Sequence, residues 1–156
     1  MKPTILYDDR EKKPWKFNGF KYPVKLVRKR MVSGDYSVKG FETVLAVERK
    51  SGIAELAVNI SKQDRARFIK CLQRLSRMQI KYLLIEDCIS SIPAAIKALP
   101  VRARVTDIAI HYWLLKIACG YKIPVIWLGK SPGMQQKVLN AFWEHVLEVD
   151  LKGKVK

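Results

Sequence analysis

Acidic residues are scarce in this chain: 14 Asp+Glu stand against 30 Lys+Arg in 156 residues, a formal net charge of +16. A surplus of that size on so short a chain points to a polyanionic partner, DNA or RNA before an acidic membrane, with a merely well-solvated basic surface as the bland alternative. Cysteines number three, and Cys71, Cys88 and Cys119 lie far apart with no CxxC pair. That fits reduced thiols inside a cell better than a disulfide framework or a zinc site. With 8 Gly and 7 Pro, collagen-like and low-complexity readings are excluded as well. No apolar run reaches the ~18 residues of a membrane span. The richest stretch, Ile108 to Cys119, is broken by His111 and Lys116, and the start of the chain shows no signal-peptide pattern. The expected location is intracellular: cytoplasmic or nucleoid-associated, a phage-encoded origin being compatible. Neither a GxGxxG motif nor a Gly-rich P-loop occurs, so a nucleotide cofactor has no support. His111 and His145 have no ligand-type neighbours and read as packing or surface residues.

Hydrophobic residues make up 49% of the chain and charged residues 28%, the balance of one globular domain with a sizeable core. Short apolar runs read as buried strands: Thr4 to Asp8, Tyr82 to Glu86 and Pro124 to Leu128. Val24 to Val32 reads as a strand carrying Lys25, Arg28, Lys29 and Arg30. Ser33 to Lys39 and Thr43 to Lys50 form a hairpin-like pair around Gly40. Helices are expected over Gly52 to Ile60, capped by Ser51, and over Ser61 to Met78. Further helices are expected over Pro93 to Leu99, Thr106 to Cys119 and Met134 to Leu147. In the second helix Phe68, Ile69, Leu72 and Leu75 share one face, opposite Arg67, Lys70, Arg74 and Arg77. Arg65 falls on the apolar side of that wheel and is expected to reach inward. Between Arg10 and Tyr22, lysines interleave with Trp15, Phe17 and Phe20. Such aromatics more often fill a core edge than stack on single-stranded nucleic acid. Tyr112, Trp113, Leu114, Leu115, Trp127, Phe142 and Trp143 read as core or as the face of a homodimer. Strands interleaved with helices predict a layered α/β domain with helices on both faces of a mixed sheet.

In so acid-poor a chain the position of each carboxylate is informative. Alternation along an extended Thr43 to Lys50 puts Val44, Ala46, Glu48 and Lys50 on one face of the sheet. A hairpin brings Asp35 beside Glu48, and Asp8, at the end of the first strand, is placed to join them. Clustered carboxylates need a cation or a proton to offset their repulsion. Hard oxygen ligands suit Mg²⁺, with Mn²⁺ as substitute. An adjacent ammonium, Lys50, suits a phosphorane-like transition state. Periodicity alone leaves open that Asp35 caps a turn and that Glu48 pairs with Arg49 or Lys50 on a solvated face.

The letters around these residues carry a resemblance. Gly34-Asp35-Tyr36 followed by Val47-Glu48-Arg49-Lys50-Ser51 resembles the nuclease signature of the XPF-type family of structure-specific endonucleases. Asp8, Arg10 and Glu11 match that family's opening D-x-R-E segment. Arg67-Phe68 with Leu75, Tyr82 to Glu86, and Tyr121 to Val125 are similar to its later helix and strands, in the same order. The resemblance implies a restriction-endonuclease-like PD-(D/E)xK fold, with a single nuclease domain over 1–150 and a basic tail over 151–156. It implies metal-dependent DNA cleavage in repair or recombination, at flap or branched structures. Asp35 and Glu48 would be metal ligands, joined by the main-chain carbonyl of Arg49 and by Asp8 as the outer carboxylate. Lys50 would serve the attacking water, and Asp8, Asp35, Glu48 and Lys50 would form the catalytic set, supported by Arg10 and Glu11. DNA would be held by Arg10, Arg49, Arg65, Arg67, Lys70 and Arg74. The family places an acid in the pattern ERKxxxD, whereas here Glu55 stands one position later. No tandem helix-hairpin-helix segment, which many relatives use to grip branched DNA, occurs in these residues. The rival readings are a non-catalytic DNA-binding or scaffold module of the same fold, and an RNA-directed protein.

Overall fold

The apolar runs that read as strands pair into a single six-stranded mixed sheet, and their order places the acidic residues. The computed structural model describes residues 2–101 and 105–154. The strands are β1 (Thr4–Tyr7), β2 (Lys25–Arg28), β3 (Tyr36–Val38), β4 (Leu45–Lys50), β5 (Ile80–Ile85) and β6 (Val125–Trp127), arranged β2-β1-β3-β4-β5-β6. β1 and β2 run parallel, β3 is antiparallel to both β1 and β4, and β4, β5 and β6 run parallel. The strands other than β5 are shorter than expected, most of all β2, where Lys25, Leu26 and Arg28 face solvent on an edge.

Helices cover both faces. α1 (Ile53–Ile60), α2 (Arg65–Ser76), α3 (Ile92–Lys97) and α4 (Asp107–Leu115) lie on one side, and α5 (Pro132–His145) lies on the other. Alternation along β4 splits its side chains between two cores. Ala46 joins Leu56, Leu72, Leu83, Ile85 and Ile110 in the first, while Leu45 and Val47 join Ile5, Tyr36, Leu139 and Trp143 in the second. The expected amphipathic faces of α2 hold: Phe68, Leu72 and Leu75 are buried, and Arg67, Lys70, Arg74 and Arg77 are exposed. α4 is capped by Thr106, whose hydroxyl accepts from the Ala109 amide, and runs into a wider turn over Lys116–Gly120.

The aromatics of the 8–24 crossover pack rather than protrude. Trp15 is buried and stacks on Tyr36 at 4.2 Å, and Phe17 meets Trp143 edge-on. The aromatic-rich stretches divide: Trp113, Leu114, Phe142 and Trp143 are buried, whereas Ile108, Tyr112 and Leu115 leave an apolar stripe of α4 exposed. Leu151, the first residue of the expected basic tail, is fully buried in the second core, and residues 155–156 lie outside the described residues. No helix among the described residues is long and apolar enough to cross a membrane.

The turn entering β3 is the tightest constraint on the sheet. Gly34 has φ +68°, and a Cβ there would stand 2.9 Å from the Val47 carbonyl oxygen. Only glycine accepts that backbone without strain and without a clash against β4. Gly34→Ala is therefore expected to cost about 2–4 kcal/mol from the left-handed conformation and overpacking together. Urea unfolding checks this, and an unchanged midpoint would contradict it.

Candidate active site

Strand polarity gathers the acidic residues at one end of the sheet. β1, β4 and β5 are mutually parallel or nearly so in direction, so their carboxyl ends share an edge. Because β3 is antiparallel, its beginning lies at that same edge. Asp8 ends β1, Glu48 to Lys50 end β4, Glu86 follows β5, and Asp35 precedes β3. Two main-chain bonds lock the junction: the Asp8 amide donates to the Asp35 carbonyl and the Asp35 amide to the Val47 carbonyl, each at 2.8 Å. Crevices outside strand carboxyl ends are the usual ligand sites of open α/β sheets.

Asp35, Glu48 and Lys50 line one two-lobed cleft. One lobe, of about 460 Å³, is bordered by Arg10, Glu11, Lys12, Lys13, Asp35, Glu48 and Glu55. The second, of about 260 Å³, shares Arg10, Asp35, Glu48 and Glu55 and adds Lys50, Arg67 and Arg74. A small acidic centre thus sits between two basic walls. Glu48 and Lys50 share a face of β4, as alternation requires, and the Lys50 ammonium donates to Glu48 Oε1 at 2.7 Å. Both are almost fully buried, and the ammonium also lies 5.3 Å from the centre of the Phe68 ring.

Burial pulls the Lys50 pKa down, but the charge and hydrogen bond of Glu48 outweigh it and leave the ammonium above its ordinary value. Glu48 thus favours the charged form of Lys50. Asp35 moves the other way. Desolvation, then the charge of Glu48, push its carboxyl up to about 7, against the opposing Arg49 amide, which donates to Asp35 Oδ2 at 2.8 Å. A raised carboxyl beside a second carboxylate is a place short of positive charge.

The residues fit a hard divalent cation. Mg²⁺ takes one or two carboxylates and keeps its waters, so Asp35 and Glu48 suffice. Along β4 the Val44 and Lys50 carbonyls accept from the β5 side, while Val47 accepts from Asp35. By alternation the Arg49 carbonyl faces the Asp35 side too, as a third oxygen would need to. Among the described residues there is no cluster of three or more His, Cys, Asp or Glu side chains arranged to hold a metal.

Several expected members are placed differently. Asp8 is buried behind the cleft, with Oδ1 accepting from the Arg10 side chain at 2.6 Å and Oδ2 from the Met31 amide at 2.8 Å. Burial opposes ionisation there, but Arg10 and the amide donors hold the carboxyl below its ordinary value. Asp8 thus orients Arg10, which reaches the cleft, instead of facing the cleft itself. Arg49 lines the first lobe, with its guanidinium already engaged: it binds both oxygens of Glu86, at 3.2 and 3.1 Å, and the Lys13 carbonyl at 2.6 Å. Glu11 accepts an ion pair from it at 3.2 Å. Arg65 does not reach the acidic site, because its Nε donates to the Ile60 carbonyl on an exposed helix start. Arg67 and Arg74 line the second lobe, while Lys70 stands exposed outside both lobes.

One residue of the cleft walls went unread in the sequence. Glu86, at the end of the YLLIE run, also accepts from Trp15 Nε1 at 2.6 Å and so anchors the 10–17 wall to the sheet. Glu55, one position beyond the family's acid, borders both lobes. It accepts from the Ser51 amide and hydroxyl at 2.7 and 2.8 Å and stands 3.9 Å from the Lys50 ammonium. Ser51 is thus the partner of the first helical turn, not its cap, and Gly52 occupies the cap position.

The Asp35 shift has a measurable sign. Between its ordinary value of 3.8 and about 7 the folded chain holds that proton and the unfolded chain does not. Stability from this group is complete below the lower value and is lost as pH rises through the upper one. Asp35→Asn is therefore expected to melt above the wild type at pH 8 without divalent ions, and close to it at pH 4. Thermal melts at the two pH values check this, and a variant that melts lower at pH 8 would contradict it.

No protein-family model matches the chain, and no curated protein matches it in sequence. Among solved structures it is similar to XPF from Aeropyrum pernix, with a TM-score of 0.62 and 17% identity over 96% of this chain and 67% of that one. It is also similar to XPF from Aeropyrum pernix in complex with DNA, with a TM-score of 0.59 and 17% identity over 91% of this chain and 65% of that one. The chain spans about two thirds of the length of those proteins. At that identity the likeness is one of architecture: the mixed sheet with helices on both faces, expected from the strand and helix pattern, is an XPF-like nuclease fold.

Proposed function

We propose that this chain is a divalent-metal-dependent nuclease that hydrolyses DNA phosphodiesters. The observation that carries this is the cleft itself: the raised Asp35 carboxyl and Glu48 beside the buried Lys50 ammonium, flanked by Arg10, Arg67 and Arg74. The fold supports it, as does the DNA held by the similar Aeropyrum pernix structure.

Asp35, Glu48 and the Arg49 carbonyl hold Mg²⁺, with Mn²⁺ as substitute. When bound, the ion supplies positive charge against the phosphate and makes water more acidic. Arg67 and Arg74 on one side and Arg10 on the other seat the strand across Asp35 and Glu48. Lys50, held charged by Glu48, presents a fixed cation to the charge that grows on the phosphate oxygens. Water attacks the phosphorus in line and releases a proton to solvent, the bond to the 3′ oxygen breaks, and that oxygen takes up a proton from solvent. The products are a 5′-phosphate and a 3′-hydroxyl. Asp8 acts through Arg10, and Glu86 through Arg49, by fixing the cleft walls. The scaffold alternative fits less well, because such a module has no use for a desolvated carboxylate pair beside a buried ammonium.

Labelled flap, fork and duplex DNA incubated with Mg²⁺, Mn²⁺, Ca²⁺ or EDTA test this reading. Cutting is expected with Mg²⁺ and Mn²⁺, binding without efficient cutting with Ca²⁺, and no cutting in EDTA. Glu48→Gln, which keeps an acceptor for Lys50, is expected to lower the rate about 100-fold or more. Cleavage undiminished in EDTA or in Glu48→Gln would overturn the proposal, and faster cutting of a matched RNA would redirect it. Binding should weaken steeply with salt, as phosphate contacts require. Because protons compete with cations for Asp35, Mn²⁺ should bind more weakly at pH 6 than at pH 8 by isothermal titration calorimetry.

A further inference from the structure

Lys50 is buried with fewer acceptors than its ammonium can use. An ammonium carries three N–H donors. Among the described residues Lys50 makes one hydrogen bond, to Glu48 Oε1 at 2.7 Å, and its side chain is almost fully buried. The Phe68 ring centre lies 5.3 Å from the ammonium on another side. Donors of a buried charge that find no acceptor cost free energy.

Two unused acceptors stand in the same lobe. Glu55 Oε2 is anchored by the Ser51 amide and hydroxyl, while Oε1 stands 3.9 Å from the Lys50 ammonium, beyond hydrogen-bond reach. Asn59 follows one turn later on α1, on the same side of the helix. Its Oδ1 is buried and accepts no hydrogen bond from the described residues. Such an acceptor is a standing cost unless a donor reaches it. Glu48, Lys50, Glu55 and Asn59 all line the second lobe. Unfilled donors on one side chain thus share a small space with unfilled acceptors on two others.

The present seat of the ammonium conflicts with a cation on Glu48. A divalent ion held by Asp35 and Glu48 and an ammonium on the same Glu48 carboxylate repel each other at short range. Lys50 has a way out, because its charge rides on a flexible four-carbon stem. Shortening the 3.9 Å gap to Glu55 to an ordinary hydrogen bond takes a movement of about 1 Å.

We propose that Glu55 and Asn59 form a second seat for the Lys50 ammonium, taken up when Glu48 gives its charge to a divalent cation. Both are positioning residues: they act through Lys50 and hold neither the cation nor the DNA. Either seat gives the ammonium an acidic partner, Glu48 in the first and Glu55 in the second. This inference rests on the nuclease reading above and deepens it. The pair between Lys50 and Glu48 competes with the cation, so the quality of the second seat sets how readily Glu48 is released to bind it.

The test is calorimetric titration of Mn²⁺ into the DNA-free protein at pH 8, which reads the exchange without any cleavage. Asn59→Leu removes the acceptor at similar size, and Glu55→Gln removes the acidic partner. Each should weaken Mn²⁺ binding about tenfold, as the loss of a group that orients a metal site from outside does. Lys50→Met should bind Mn²⁺ more tightly than the wild type. Adding Asn59→Leu to Lys50→Met should then change the affinity by no more than about twofold, because the seat has lost its occupant. The metal-free melting temperature of Asn59→Leu should not fall, since Oδ1 has no donor to lose. Glu55→Gln, on a partly exposed side chain, reads the same exchange independently of packing at Asn59, and its effect should shrink in Lys50→Met. Wild-type affinity in both single variants would overturn the second seat and leave the nuclease reading standing. So would an Asn59→Leu loss that persists undiminished in Lys50→Met, which would make Asn59 a ligand instead. A wild type that takes up no Mn²⁺ would defeat the nuclease reading and this inference with it.

Discussion

Partial desolvation of Asp35 with the charge of Glu48 beside it is the constraint on which this site depends. Asp35 stands in the turn before β3 and Glu48 within β4, and Asp35 is fixed by its amide on the Val47 carbonyl and by the Arg49 amide on its carboxylate. The compensation nearest to hand is the Lys50 ammonium, which bonds Glu48 directly and leaves Asp35 short of a partner. The site is thus asymmetric before any ligand arrives: one carboxylate is satisfied and the other waits for charge. Asymmetry of that sort is expected where binding and chemistry take place, since a fully satisfied network has nothing left to offer.

Around this pair the chain divides its cations into two kinds. Arg10 and Arg49 are fixed by Asp8, Glu11 and Glu86, and they brace the walls. Arg74, Lys12 and Lys13 keep their heads free at the cleft margin, and Lys70 stays free beside it on α2. Glu48, Arg49 and Lys50 are consecutive, yet alternation sends the middle one to the opposite face of the sheet. The strand that carries the site is thereby tied by Arg49 to Trp15 and Glu86, and through Trp15 to Tyr36 in the second core.

Much of this was legible in the sequence. Apolar runs located β1, β4, β5 and β6, and 3.6-residue periodicity located α2 with its buried and basic faces. Period-2 alternation alone put Glu48 and Lys50 on one side, and the hairpin around Gly40 brought Asp35 near. The shortfalls have physical causes. Asp8 sits at a strand end like the others, but sequence cannot tell that Arg10 and the Met31 amide satisfy both its oxygens. Arg49 lines the first lobe but has its guanidinium engaged by Glu86, 37 positions distant and brought near by β4–β5 pairing. Arg65 lies at the helix start, where the wheel fails because the side chain turns back to an unpaired carbonyl. Asn59 carries no charge and no motif, so only its place in the second lobe singles it out.

The solvent-facing margin of the sheet at β2 has a consequence for handling. Its outer backbone groups have no neighbouring strand, a geometry that invites another chain to continue the ladder. Lys25, Arg28, Lys29 and Arg30 crowd that margin, so two copies approaching edge to edge meet like charges before any backbone bond can form. The same positive excess that draws in a polyanion therefore keeps the free protein from polymerising through its own sheet.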